Sequence, residues 1–481
     1  VKKYRDKTNN VCSVRKWQQV FENLWTLLFL TVFGLIGGLV APLASASQES
    51  LLEGCYLPGY SQPAECGFVE VPRKYQQPDE GRVRIHVSRV RSRSGETLPP
   101  LFVLAGGPGQ AATELGRFIP TAFAAIIKRR DIIFVDQRGT GKSLPISCET
   151  ASLATLQQTT RALQSCRQKI NPLLGQLTTR VYVEDLESVR QYLGLDNITL
   201  WGGSYGTFSA QAYASAYPDA VDGMILDAVV SLDSQFLAEG AVYAQQALQR
   251  LVELCQENTG CQHAYPDWPQ QLSAIINRLN ETPLSHGQLQ GVTGLDLAQF
   301  IRTALYSPIS ASRIPMAVER AYNGDYSMIQ GLAMMAGSGA SNSMYLGLTL
   351  GVLCQEHISE QGQEYAIAKG QKSFVKHSYF SFWQQACGTQ DASLYQPFEA
   401  PEAIEVPTLL LSGELDPVTP EQSAEQARKY LPNSTHLIIA NSGHIVSYQG
   451  CVPNLIAEFL EQKSIAKPEC AIRQGSLPFT L

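Results

Sequence analysis

The chain has 481 residues, 44% hydrophobic and 17% charged, which is enough apolar material for a large core and excludes a disordered or fibrous composition. Its formal net charge of −6, with no dense Lys/Arg block beyond the N-terminus, argues against a nucleic-acid surface. One large domain with an insertion, or two domains, is expected from that length.

The first residues read as an address rather than as fold. Lys2, Lys3, Arg5, Lys7, Arg15 and Lys16 form a basic head, residues 24–40 are largely apolar, and Ala44-Ser45-Ala46 is a small-x-small cleavage signal. This predicts a signal peptide over 1–46, cut after Ala46, and an exported protein, periplasmic or secreted, with no stable membrane span afterwards. An uncleaved anchor is the competing reading, because the run approaches the roughly 20 residues that cross a bilayer; Gly34, Gly37, Gly38 and Pro42 weaken such a helix. Cysteine usage agrees with export. Without Cys12 the cysteines fall as near neighbours, and the simplest pairing is Cys55–Cys66, Cys148–Cys166, Cys255–Cys261, Cys354–Cys387 and Cys451–Cys470. No His/Cys cluster has zinc spacing, so neither a metal nor another cofactor is expected.

Along the chain, Arg82-Val83-Arg84-Ile85-His86-Val87 alternates like a half-exposed edge strand, and Leu101-Phe102-Val103-Leu104 is a short buried one. It ends in Ala105-Gly106-Gly107-Pro108-Gly109, whose backbone amides are free to face a ligand. Helical spacing covers residues 118–128, and another buried strand ends at Asp136-Gln137-Arg138-Gly139-Thr140-Gly141-Lys142-Ser143. That stretch is not a phosphate-binding loop, since Asp136 stands where the first glycine is required. An amphipathic helix over 179–193 precedes the strand that reaches Ser204, and residues 222–227 form the next strand. This alternation predicts an α/β protein with a mostly parallel sheet covered on both faces. From 231 to 405 the pattern is helical, rich in aromatic residues and without βα repeats. Strands then resume at Val406, so a mainly helical cap over 231–405 is expected between two parts of one core, 47–230 and 406–481.

Trp201-Gly202-Gly203-Ser204-Tyr205-Gly206-Thr207 is a strand driving into a helix through a turn with glycine on both sides of one serine. This is a nucleophile elbow, with the Ser204 hydroxyl exposed and the Tyr205 amide aimed at what it attacks. A serine needs a histidine to take its proton and a carboxylate to hold that histidine. His444, in a loop after the strand-like residues 436–440 and before a terminal helix, has the expected place at the chain's end. His86, His263, His286, His357, His377 and His436 lack that setting. Asp416, in Gly413-Glu414-Leu415-Asp416-Pro417, is the expected acid; Glu414 and Asp227 are the fallbacks. The oxyanion hole would combine the amides of Tyr205 and Gly107.

Together Gly-Gly-Pro-Gly, Asp-Gln-Arg-Gly-Thr-Gly-x-Ser, Gly-Gly-Ser-Tyr-Gly-Thr, Gly-Glu-Leu-Asp-Pro-Val-Thr-Pro and Ser-Gly-His resemble the prolyl aminopeptidase and tripeptidyl aminopeptidase branch of the α/β-hydrolases. The resemblance runs from about residue 67 to 470 apart from much of the cap, and Ala105 stands where that branch usually has histidine. It implies an α/β-hydrolase fold, a triad of Ser204, Asp416 and His444, and release of an N-terminal residue or tripeptide. The substrate would be a peptide with a free N-terminus, its ammonium held by a cap carboxylate; Glu356, in Cys354-Gln355-Glu356, is the first candidate. A broad carboxylesterase is the alternative, because triad and oxyanion hole serve esters equally. A non-catalytic binding protein on the same scaffold is the further one.

Overall fold

The computed structural model describes residues 52–150, 155–285, 287, 289–340, 344–388, 395–466, 468–472 and 475–481, with backbone alone for 335–340, 470 and 472. The leader, its cleavage after Ala46 and His286 lie outside the described residues.

Nine strands form one sheet in the order β1-β2-β3-β5-β4-β6-β7-β8-β9. The first three, Glu53–Tyr56, Pro63–Pro72 and Arg82–Val90, are antiparallel, as the alternating pattern around Arg82 predicts. The third also runs antiparallel to β5 (Ile132–Val135). From β5 onward the neighbours are parallel: β4 (Leu101–Leu104), β6 (Ile198–Gly203), β7 (Val221–Asp227), β8 (Thr408–Gly413) and β9 (Ser434–Ile439).

The parallel strands are apolar on both faces because both are covered. Phe102, Leu104, Ile133, Val135, Leu200, Leu226 and Leu410 pack on one side. Their chain neighbours Leu101, Val103, Ile132, Phe134, Trp201, Ile225, Leu409 and Leu411 pack on the other. Each such fully buried side chain contributes roughly 1.5–3 kcal/mol of burial free energy, so the centre of the sheet is a rigid base for the loops at its carboxyl ends.

The stretch 118–128 departs from the expected helix. Residues Ala112–Phe118 and Ile126–Lys128 are separate 3₁₀ segments, and the amides of Ile119, Thr121 and Ala124 bond three residues back. Pro120 has no N–H to donate, which removes one rung of an α-helical ladder at that point. The glycine-containing turn after β5 serves the fold. Asp136, fully buried, accepts from the Thr113 amide and hydroxyl, the Lys142 amide and His86 Nδ1.

β7 and β8 are adjacent in the sheet, yet the described residues between them form helices, including Phe236–Glu257, Trp268–Glu281, Gly294–Ala304, Ile314–Tyr322 and Ser378–Cys387. Much of this insertion packs around its own core of Leu251, Trp268, Ile275, Ile301, Ile314 and Val318. Disulfides join Cys55–Cys66, Cys148–Cys166, Cys255–Cys261 and Cys354–Cys387. Cys451 is also disulfide-bonded, and the Cys470 side chain lies outside the described residues. Among the described residues no helix is long and apolar enough to cross a membrane.

Candidate active site

The parallel register sets the geometry. Leu104 lies beside Gly202, Gly203 beside Asp227 and Asp227 beside Leu411, so the loops after β4, β6, β7, β8 and β9 leave the same end of the sheet. Ser204 sits between β6 and the helix Tyr205–Ala216 with φ 55° and ψ −124°, a region that costs a non-glycine residue of order 1–3 kcal/mol. The flanking glycines make that turn possible. A Cβ on Gly202 would lie 2.3 Å from the Gly206 carbonyl oxygen, and one on Gly206 would lie 2.2 Å from the Leu104 oxygen.

His444 follows β9, and its Nδ1 lies 2.8 Å from Asp416 Oδ2. Asp416 is 1% exposed; its Oδ1 accepts from the Val418 and Thr419 amides and its Oδ2 from the Thr419 hydroxyl. Burial alone would raise its pKa, but the His444 charge and the hydrogen bonds from His444 and Thr419 outweigh it and hold the carboxyl below the ordinary range. Such an acid is ionised when the imidazole takes up a proton. The Ser204 hydroxyl makes no direct hydrogen bond to His444 among the described residues. Both side chains are partly exposed.

Of the two expected oxyanion donors, Tyr205 opens the helix after the elbow, where its amide has no intrahelical partner. Gly107, with φ 110°, is exposed in the loop after β4. One residue earlier the same loop runs beside the nucleophile, where a Cβ on Gly106 would lie 3.1 Å from Ser204 Cβ.

The two fallback acids have other partners. Glu414 pairs with Arg250 at 2.8 Å and accepts from the Asn441 amide. Asp227, at the end of β7, is fully buried; its carbonyl accepts from the Ser204 amide at 2.9 Å. Its carboxylate accepts from the amides of Val446 and Ser447 and from the Ser447 hydroxyl. Burial pushes the Asp227 carboxyl up to about 6 against these bonds and the nearby His444. Asp227 thus ties the elbow to the histidine loop, a positioning role that strand-end logic alone did not assign.

Glu356, the expected contact for a substrate ammonium, has protein partners of its own. It lies in the π-helical turn Leu353–His357 with its side chain 3% exposed. Both carboxylate oxygens accept from Thr179, one from the amide and one from the hydroxyl, each at 2.6 Å. The Thr179 hydroxyl also meets the Tyr205 hydroxyl at 2.7 Å. The turn faces the N-terminus of the helix Thr179–Tyr192, which attracts and satisfies a carboxylate. Burial pushes the Glu356 carboxyl up to about 7, with the Thr179 bonds pulling the other way. Other histidines have structural partners: His86 meets Asp136 at 3.0 Å and His436 meets Glu425 at 2.7 Å. Burial lowers His357 to about 3, between the rings of Phe208 and Phe236. Among the described residues no His/Cys/Asp/Glu group has metal-binding geometry.

A serine at a strained strand-to-helix turn and an Asp–His pair, all at the carboxyl ends of a mostly parallel sheet, are the arrangement of an α/β-hydrolase. Residues 99–300 match the family described as the alpha/beta hydrolase fold, and 375–470 match the one described as TAP-like protein. The chain has the α/β-hydrolase fold, and within it the resemblance is to the prolyl and tripeptidyl aminopeptidase branch. A tripeptidyl aminopeptidase of Streptomyces coelicolor is 28% identical over 193 residues, 35% of this chain and 36% of that protein. The serine protease Hip1 of Mycobacterium tuberculosis is 24% identical over 447 residues, 82% of this chain and 85% of its own. A proline iminopeptidase, aneH, of Aspergillus aculeatus is 31% identical over 177 residues, 34% of this chain and 36% of its own. The match therefore spans about a third of the Streptomyces protein's length.

Proposed function

We propose that this protein is an exported serine exopeptidase that removes N-terminal residues or tripeptides from peptides through an acyl-enzyme on Ser204. The carrying observation is the 2.8 Å His444–Asp416 pair at the same end of the sheet as the strained Ser204. Ser204 Oγ attacks the scissile carbonyl carbon while His444 Nε2 takes its proton, and Asp416 stabilises the resulting imidazolium. The Gly107 and Tyr205 amides receive the oxyanion, each supplying about 3 kcal/mol of transition-state stabilisation. The C–N bond then breaks, and the departing amine takes the proton from His444. Water, activated by the same histidine, cleaves the ester and returns Ser204.

The peptidase names of the relatives favour amide over ester substrates, and the disulfides favour an oxidising compartment, periplasmic or secreted. In this reading residues 1–46 are the leader, 47–230 and 406–481 the hydrolase core, and 231–405 a cap that selects the substrate. The test is turnover of aminoacyl, tripeptidyl and acyl-ester reporters by purified protein and by Ser204→Ala. The substitution is expected to reduce kcat by about 10⁴-fold or more, and undiminished turnover would reject the assignment. Turnover of the acyl ester with none of the aminoacyl or tripeptidyl reporters would make the protein a carboxylesterase.

A further inference from the structure

The helix Gly294–Ala304 carries a cation into the interior beside the site. Arg302 is 3% exposed, and neither its Nε nor its Nη2 has a hydrogen-bond partner among the described residues. These two nitrogens form one edge of the guanidinium, the edge that grips a carboxylate side-on. Elsewhere in the chain the same edge is filled: Arg138 donates from Nε and Nη2 to the two oxygens of Asp185 at 2.7 and 2.6 Å. Around Arg302 stand two tyrosines instead, Tyr379 and Tyr306, each within side-chain hydrogen-bonding reach of the guanidinium. Its guanidinium carbon is 4.0 Å from the Tyr379 ring centroid and 5.9 Å from that of Tyr306. The acid whose field reaches it is Asp416, already committed to His444 and Thr419. The Tyr306 and Tyr379 groups and the Asp416 field hold Arg302 in its charged form despite burial, yet its Nε–Nη2 edge is left without an acceptor, and an aromatic face attracts a cation far less than an anion does.

The neighbourhood says where an anion would come from. The Tyr306 ring packs edge-on against His444 with centroids 5.0 Å apart, and its carbonyl accepts the His444 amide at 2.9 Å. Tyr306, Tyr379 and His444 are all partly exposed, and Tyr306 touches both His444 and the Arg302 guanidinium. His444 hands its proton to the departing amine, so the surface beside it receives the leaving half of the substrate.

We propose that Arg302 is a specificity-determining subsite for a carboxylate on the leaving group, carried within the first residues after the scissile bond. This rests on the exopeptidase reading and adds a preference for short peptides ending near the cut, or for an acidic residue there. The test uses peptides identical up to the scissile bond, with a leaving residue that is alanine or alanine amide, and a second pair with glutamate amide or glutamine amide. A neutral acyl ester is the control. Wild-type protein should favour a carboxylate-bearing member over its neutral partner by about 10- to 100-fold in kcat/KM. The alanine pair reports a C-terminal carboxylate and the glutamate pair a side-chain one.

Arg302→Gln should erase that preference by lowering turnover of the carboxylate-bearing peptide while ester turnover holds; Arg302→Lys should keep part of it. Equal kcat/KM within both pairs for wild-type protein would overturn the proposal, and this comparison needs no variant to fold. A parallel loss of ester and peptide turnover in Arg302→Gln would also overturn it, as the mark of a structural cation. Ser204→Ala separates the two readings: retained turnover ends the exopeptidase assignment, whereas an inactive Ser204→Ala with no carboxylate preference in wild type ends only this one.

Discussion

The ends of β7 and β8 each carry a buried aspartate, and the two carboxyls are driven in opposite directions. Asp416 sits below the ordinary carboxylate range and Asp227 is pushed up to about 6, although both are fully desolvated and both accept backbone N–H groups. What separates them is the partner. Asp416 faces the ring of His444 at 2.8 Å, whereas Asp227 faces the amides of Val446 and Ser447 and the Ser447 hydroxyl. A group that can become a cation repays the desolvation of a carboxylate; neutral donors repay part of it. One strand end therefore suits charge stabilisation during a reaction, and its neighbour suits holding a loop.

The strongest way to break this contrast is Asp416→Asn. The amide cannot stabilise an imidazolium and favours the wrong tautomer of His444, so kcat is expected to fall about 10⁴-fold with the fold retained. Steady-state kinetics on an ester reporter, with circular dichroism as the folding check, decides it; a loss below tenfold would move the acid elsewhere. Asp227→Asn should cost less in rate and more in stability. Its amide would point a donor at a backbone N–H, costing about 1–3 kcal/mol, and the shifted histidine loop should lower kcat by about 10²-fold. Urea unfolding and kcat together test this. An Asp227→Asn enzyme as inactive as Asp416→Asn yet equally stable to wild type would exchange the two roles.

Acid titration sharpens the same pair. A depressed carboxyl such as Asp416 contributes stability that is present above its unfolded value and lost as pH falls through its folded one. Asp227 has the opposite sign: raised from 3.8 to about 6, it contributes stability in acid that is lost as pH climbs between about 4 and 6, on the order of 3 kcal/mol. Asp227→Asn should flatten that limb of a plot of unfolding free energy against pH. An unchanged limb would place the titration in another group.

Much of this site was legible because its signals are local. Gly202 and Gly206 on either side of Ser204, a strand before and a helix after, specify a turn whose steric reason lies within a few residues of the serine. Asp416 and His444 each follow a strand, so chain order and strand ends locate them. The contacts that the sequence did not announce have a different character. Thr179 and Glu356 are 177 residues apart in the chain, as Asp227 and Val446 are 219 apart, and no spacing announces such contacts. The expected helix over 118–128 shows the converse: apolar spacing was present, but Pro120 and three-residue backbone bonds divide the stretch.

Glu356 offers the smallest and most discriminating effect. A carboxylate that binds a substrate's ammonium affects KM for substrates with a free N-terminus and spares blocked ones. A carboxylate that holds Thr179, and through it Tyr205, affects catalysis on both, because the Tyr205 amide is the proposed oxyanion donor. In Glu356→Gln the side-chain oxygen can still accept from the Thr179 amide, while its NH₂ must donate to the Thr179 hydroxyl. That hydroxyl would then turn to donate to Tyr205, reversing the polarity of the chain without emptying it. The expected outcome is a drop in kcat of about 3- to 10-fold, equal for aminoacyl and N-blocked ester reporters, with KM little changed. Thr179→Val, which removes the middle of the chain, should reproduce it. A KM rise confined to free-amine substrates would instead return Glu356 to the substrate's ammonium, which would require the π-helical turn to release Thr179 on binding.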